Sequence, residues 1–80
     1  MIRQAHRHPR ISIDPAVMVG KPCIAGTRMP VDLILRERGD GLSVAEVIAA
    51  HPFLAAEDIR AAQAFAADIV ADEAAVLAEA

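Results

Sequence analysis

A single cysteine, Cys23, stands in this chain of 80 residues, so no disulfide can close within it. A reduced, cytosolic setting is the simplest expectation. No apolar run approaches about 18 residues, which excludes a membrane-spanning helix. The start, MIRQAHRHPR, is polar and basic with no apolar stretch after it, so no secretory signal peptide is expected. Metal and nucleophile chemistry is equally thin. His6 and His8 sit two residues apart in a terminal arm, and with His51 or Cys23 they make a poor ligand set for a stable metal site. Cys23 has no cysteine partner, and a thiolate nucleophile needs an activating base that the position of His51 does not supply. No pair of carboxylates stands apart from the solvating acids. An enzyme is therefore the least favoured class, and neither cofactor nor metal is expected.

What the chain has is an uneven distribution of charge under a net value of −3. Residues 1–40 carry seven cations (Arg3, Arg7, Arg10, Lys21, Arg28, Arg36, Arg38) against four carboxylates, a balance of +3. Residues 41–80 carry Arg60 alone against seven carboxylates, a balance of −6. This asymmetry is what two faces with different partners would produce. Acidic residues that keep alanine-rich helices soluble would produce it too.

Eighty residues make one domain, small enough that oligomerisation or a partner has room to complete its core. Residues 1–9 read as a loose basic arm ending at Pro9. Residues 10–14 alternate as a short strand, stopped by Asp14-Pro15, and 23–28 read as the returning strand, with Gly26 at a bulge or tight bend. Pro30 suits the end of that strand or the first turn of a helix.

Three helices follow. Val31, Ile34 and Leu35 keep helical spacing from Val31 to about Arg38, where RGDG ends the run. Ser43-Val44-Ala45-Glu46 is a capping box that opens a second helix, which His51-Pro52 closes. The third begins near Ala56 and aligns Ile59, Ala62, Phe65, Ala66, Ile69 and Val70 on one side. The expected core is Ile11, Ile13, Ile24, Val31, Ile34, Leu35, Leu42, Val47, Ile48, Leu54, Ile59 and Phe65. Residues 67–80 form a helical extension beyond what a three-helix core needs.

The densest stretch, GKPCIAGTRMPV (20–31), invites a phosphate-loop reading that fails. Pro15 occupies the place of the first glycine, and Pro22 replaces the magnesium-binding Ser or Thr after Gly20-Lys21. The order of motifs instead resembles the domain-of-unknown-function 433 family of small bacterial proteins. RISIDP, GKP, CIAGTRMPV, GLSVAEVI and LAAEDIRAA occur in the family's order and spacing over about residues 10–66. The resemblance implies a helix-turn-helix core, homeodomain-like or winged-helix, behind the N-terminal hairpin, making the fold mainly α. It also implies an antitoxin role beside a PIN-like ribonuclease toxin. Ala55 departs from the family, which commonly places Ser or Thr there. The missing cap costs about 1 kcal/mol and is expected to fray or delay the third helix.

Two binding modes follow as expectations. For DNA, Arg60 and Gln63 on the third helix are candidate readers of base edges. Glu57 and Asp58, expected to point outward beside them, oppose phosphate. Arg3, Arg7 and Arg10 in the arm, with Lys21 and Arg28 in the hairpin, are the candidate phosphate contacts. Arg28 has an alternative role, an ion pair with Asp14 or Asp32 that ties the hairpin to the first helix. Lys21 is otherwise an exposed turn residue. For a protein partner, Phe65, Ile69, Val70, Val76 and Leu77, with Asp72 and Glu73 among them, form an acidic, apolar-striped helix. Such a helix is suited to the basic RNA cleft of a nuclease or to a second copy of the chain. The combined expectation is an antitoxin that neutralises a PIN-like ribonuclease and binds its own operator. The alternative is an interaction or dimerisation module without DNA binding.

Overall fold

A computed structural model describes residues 3–5 and 8–79, with side chains described for residues 8–72. Three short strands precede three helices. Strand β1 is Arg3–Ala5, β2 is His8–Ile13 and β3 is Cys23–Ile24, in the sheet order β1-β2-β3. The first two pair antiparallel, Arg3 opposite Ile13 and Gln4 opposite Ser12, with a register shift before Ala5 meets His8. The expectation of a loose arm over 1–9 is thus corrected at β1 and at His8-Pro9, which extend the strand predicted to begin at residue 10. Residues 1, 2, 6 and 7 lie outside the described ones.

The returning strand is shorter than predicted. Cys23 and Ile24 pair with β2, at Ser12 and Ile11, and the Ala25 N–H makes the last backbone contact to it, donating to the Arg10 carbonyl at 2.7 Å. Residues 25–28 turn instead, because Gly26 adopts φ +79°, a left-handed conformation that favours glycine. The Thr27 N–H donates to the Ile24 carbonyl at 3.0 Å, and the Thr27 hydroxyl donates to the same oxygen at 2.7 Å. The hydroxyl also accepts from the Met29 N–H at 3.0 Å, so the chain folds back on itself and Cys23 bridges Pro30. Residues 18–20 make an unusual connection: Met18 and Val19 hold φ +49° and +56°, and Val19 is 96% exposed. A β-branched side chain in that region carries a local cost.

Helix α1 is Val31–Gly39, with Pro30 in extended conformation at its N-cap. At its end the Leu42 N–H donates to the Glu37 carbonyl and the Gly41 N–H to that of Arg38, with Gly41 at φ +100°. That pair of bonds is a Schellman stop. Helix α2 is Val44–Ala50 and begins at the predicted capping box. The Ser43 hydroxyl accepts from the Glu46 N–H at 3.1 Å, and the Glu46 carboxylate accepts from the Ser43 N–H at 2.8 Å. These bonds, the backbone one foremost, hold the Glu46 carboxyl below its ordinary value. Helix α3 is Ala56–Glu79. It begins on time despite Ala55: the Asp58 N–H, which a Ser or Thr side chain would accept, donates to the Ala55 carbonyl at 3.0 Å, and the Asp58 carboxylate supplies the other half of a capping box by taking the Ala55 N–H at 2.9 Å. The extension expected from residue 67 continues α3 without a break as far as Glu79.

The core gathers Ile11, Ile24, Met29, Val31, Ile34, Val47, Leu54, Ile59, Ala62 and Phe65. Leu35, Leu42 and Ile48, predicted as core, are half-buried at its edge, and Ile13 is half-buried as well. Cys23 and Met29 are buried although the apolar pattern did not select them, and Ala62, on the apolar side of the third helix, is buried as well. The half-buried pair His51–Glu37, at 2.9 Å, ties the end of α2 to α1. Among the described residues, no helix is long and apolar enough to cross a membrane.

Candidate partner and nucleic-acid interfaces

Two surfaces flank α3. Helical geometry places Ile59, Ala62 and Phe65 toward the core, leaving Arg60, Gln63, Ala64 and Ala67 on the outward side, where all four are exposed. The residues between these two sides form the rims of two grooves.

The first groove runs between α3 and α1 and measures about 380 Å³. Phe65, Ala66, Ile69 and Val70 form one wall, Val31 and Leu35 the other, and Pro22 lies beside them. The lining is predominantly apolar. Ile69 is 39% and Val70 64% exposed. At the rim the Lys21 ammonium donates to the Asp32 carboxylate at 3.3 Å. Three of the predicted partner-binding residues, Phe65, Ile69 and Val70, therefore line one concavity. Phe65 is a correction of degree, because it is buried, packs edge-on to the His8 ring at 5.5 Å, and belongs to the core as well as to the groove. Asp72 is exposed one turn further along. Glu73, Val76 and Leu77 continue the helix, and their side chains lie outside the described residues.

The second groove, about 350 Å³, lies between β2 and α3. His8, Pro9 and Arg10 face Glu57, Arg60, Ala61 and Ala64 across it. It brings together two predicted nucleic-acid residues that are distant in sequence, Arg10 and Arg60. Both are already paired. Arg10 donates to Asp58 at 2.9 Å, and Arg60 lies 3.9 Å from Glu57. His8 meets Asp68 at 2.7 Å. Asp58, expected to face outward against phosphate, is instead 8% exposed and holds both Arg10 and the start of α3. Its two oxygens cap and clamp, a role that the acidic first turn alone does not reveal. The only signal for it in the sequence is Asp at the third position after Ala55.

The remaining cations are scattered. Arg28 is exposed beside a third hollow, lined by Ser12, Asp14, Val17, Ala25, Gly26 and Thr27. The expected Arg28 pair with Asp14 or Asp32 is not formed. Asp14 accepts from the Ala16 N–H at 2.9 Å, and Asp32 is engaged by Lys21. Lys21 is thus more than a turn residue. Arg38 stays at home, donating to the Leu42 carbonyl at 2.7 Å. The Arg3 backbone lies on β1, its side chain and all of Arg7 falling outside the described residues. Cys23 is buried, and burial first, then the nearby Asp32 charge, raises its thiol above the ordinary value, while Lys21 acts in the opposite sense. A raised, buried thiol is inert rather than nucleophilic. Among the described residues, no three His, Cys, Asp or Glu side chains converge as a metal site would require.

A sequence profile of the family described as "Protein of unknown function (DUF433)" matches residues 11–66. The chain belongs to the DUF433 family. A crystal structure of a DUF433 member protein from Anabaena variabilis matches it at 38% identity and a TM-score of 0.66. That match covers 70% of this chain and 55% of the other, so the shared fold spans little more than half of the Anabaena protein. No curated protein matches the chain. The matched residues 11–66 hold the end of β2, β3, α1, α2 and the first half of α3, and so include the α3 wall of the second groove, but not His8, Pro9 and Arg10, together with Val31, Leu35 and Phe65 of the first.

Proposed function

We propose that this protein is an antitoxin-like binding protein that neutralises a PIN-like ribonuclease by occupying its basic, RNA-binding surface. The observation that carries the reading is the apolar groove between α1 and α3, with exposed Ile69 and Val70 on its wall and an acidic helix running past it. Two exposed apolar side chains beside a concavity gain nothing from water. Burial from full exposure is worth roughly 1.5–3 kcal/mol for such a side chain, and Ile69 and Val70 have 39% and 64% of their surface left to cover. The −6 balance of residues 41–80 supplies the attraction to a basic protein surface, which speeds encounter and selects the partner. The test is co-expression with the PIN-like ribonuclease of the same operon. Restored growth and lost RNA cleavage in the purified mixture are expected. Full nuclease activity at a molar excess of this protein refutes the reading.

A second role, operator binding by the helix-turn-helix α2–α3, is favoured by one specific feature. Arg60 and Gln63 are exposed on the outward face of α3, beside Arg10 across the second groove. Arg and Gln are suited to guanine and adenine edges. The pairing of Arg10 with Asp58 and of Arg60 with Glu57 weakens the electrostatic term, so a dimer or the toxin complex is the form proposed to bind. A gel shift with the promoter DNA across a salt series tests it. Binding by neither the free protein nor the complex removes this role and leaves protein binding alone.

A further inference from the structure

The antitoxin reading says that a partner is bound, not what enters the first groove. We infer that this groove receives one amphipathic helix of the partner, carrying apolar anchors at i, i+3 or i+4, and i+7, with lysine or arginine beside them. The inference rests on the antitoxin reading for the identity of the partner but not for the groove's chemistry.

Shape argues for a helix. The groove has two helical walls, with Val31 and Leu35 spaced by four residues on α1, and with Phe65, Ile69 and Val70 spaced by four and five on α3. Between two such walls a third helix can pack its own apolar stripe, the usual way in which a groove takes a helical ligand. A strand finds no sheet residue in the groove's lining, which comes from two helices and from Lys21 and Pro22 just before β3.

Charge argues for a basic occupant and against a second copy. Past Phe65, α3 carries Asp68, which His8 holds at 2.7 Å, then Asp72, Glu73 and Glu79, and not one lysine or arginine. Asp72 is exposed one turn beyond Ile69. A symmetric contact would set this acidic helix against its own image, where the carboxylates of both copies repel. A basic helix meets attraction at the same place. At the groove's rim Asp32 is held by Lys21 through a 3.3 Å contact between two half-exposed side chains. A guanidinium or ammonium from the partner can take over that contact at little cost.

The test uses the full chain and two 15-residue amphipathic peptides. One is built of leucine, alanine and lysine with the stated apolar spacing, and the other has glutamate in place of every lysine. Affinity is read by fluorescence anisotropy and the site by amide shifts in NMR. The lysine peptide is expected to bind at least about tenfold more tightly than the glutamate peptide, a preference that shrinks with salt. Amide shifts are expected at Leu35, Ile69 and Val70. Ile69→Asn removes an anchor contact without changing charge, and Asp72→Lys reverses charge without touching the wall. Each is expected to weaken binding by about five- to tenfold, whereas Ala49→Gln, exposed on α2 and lining neither groove, leaves it unchanged. Both altered positions are exposed, and circular dichroism verifies that each variant is folded.

Equal binding of the two peptides, or shifts confined to other faces, overturns the inference. So does a chain that sediments as a dimer split by Ile69→Asn, because the occupant is then a second copy. The two readings fail separately. If Ile69→Asn and Asp72→Lys still silence the ribonuclease as the unaltered chain does, the groove inference falls and the antitoxin role stands. If the lysine peptide binds as expected while the unaltered chain leaves the ribonuclease active, the antitoxin role falls and the groove's preference stands.

Discussion

Asp58→Ala tests how this fold holds its third helix against its sheet. One Asp58 oxygen accepts from the Ala55 N–H at 2.9 Å, and the other from Arg10 at 2.9 Å. Loss of the first contact is loss of a helix cap, about 1 kcal/mol with a range of roughly 0.5–2. The second involves Arg10, whose side chain is 51% exposed, so solvent screening reduces its worth to about 0–1 kcal/mol. The sum is about 1.5–2 kcal/mol, since Ala55 is exposed and water can replace part of the cap. For a domain of this size 1 kcal/mol moves the melting temperature by roughly 4–8 °C, so a fall of about 6–15 °C is expected. Asp58→Asn retains an oxygen for Ala55 and loses the charge facing Arg10, and is expected to cost about half as much. Thermal melts followed by circular dichroism measure both. A double-mutant cycle with Arg10→Ala should return a coupling of about 0.5–1 kcal/mol. A drop below about 3 °C for Asp58→Ala, or no coupling to Arg10, refutes the clamp and returns Arg10 to the pool of free phosphate contacts.

Four further outcomes are expected. Val19→Asn should stabilise the chain by about 1 kcal/mol, because asparagine tolerates φ +56° better than a β-branched residue, and Val19 at 96% exposure loses no packing; a lower denaturation midpoint would contradict this. Glu46 has its carboxyl below the ordinary value of 4.5, so its contribution to stability is complete above that pH and is lost as pH falls through its lower folded value. Stability between those two values should therefore rise with pH, and Glu46→Gln should flatten that part of the profile in acid-series melts. Ser43→Ala should cost about 1 kcal/mol at neutral pH through loss of the cap. Cys23, at 1% exposure and with its thiol raised, should react with a thiol reagent at least about tenfold more slowly in the folded chain than in denaturant; equal rates would place the thiol at the surface.

The hairpin and the three helices were legible because their signals are local. Ser43 and Glu46 carry both halves of a reciprocal cap within four residues. The Ile11–Ile13 alternation and the Val31–Ile34–Leu35 spacing each specify one face of one element. What was misjudged is non-local. Residues 25–28 look like a continuing strand, but Thr27 satisfies both Ile24 and Met29, and the chain turns. The basic arm looks free until Arg3–Ala5 finds β2. Sequence also pointed to Ile69 and Val70 as apolar residues beyond the core, since helical spacing runs past the last position a small domain can cover.

The sequence by itself thus determined the order of the hairpin and the three helices, the ends of α1 and α2, the family and the charge asymmetry, because each is written in neighbouring residues or in sums over them. Only the tertiary structure decided which charges remain available. Asp58 turns inward because the Ala55 N–H and Arg10 lie within reach of its two oxygens, from positions three residues away and 48 residues away. Lys21 takes Asp32 and leaves Arg28 without either expected partner. The groove exists only once α1 and α3 pack side by side. Val31 and Leu35 are more than 29 residues from Phe65 in the chain, and no local pattern tells that their edges leave a space. A short domain must close its core with what lies near in space, and the surfaces left over are the ones it can offer to a partner.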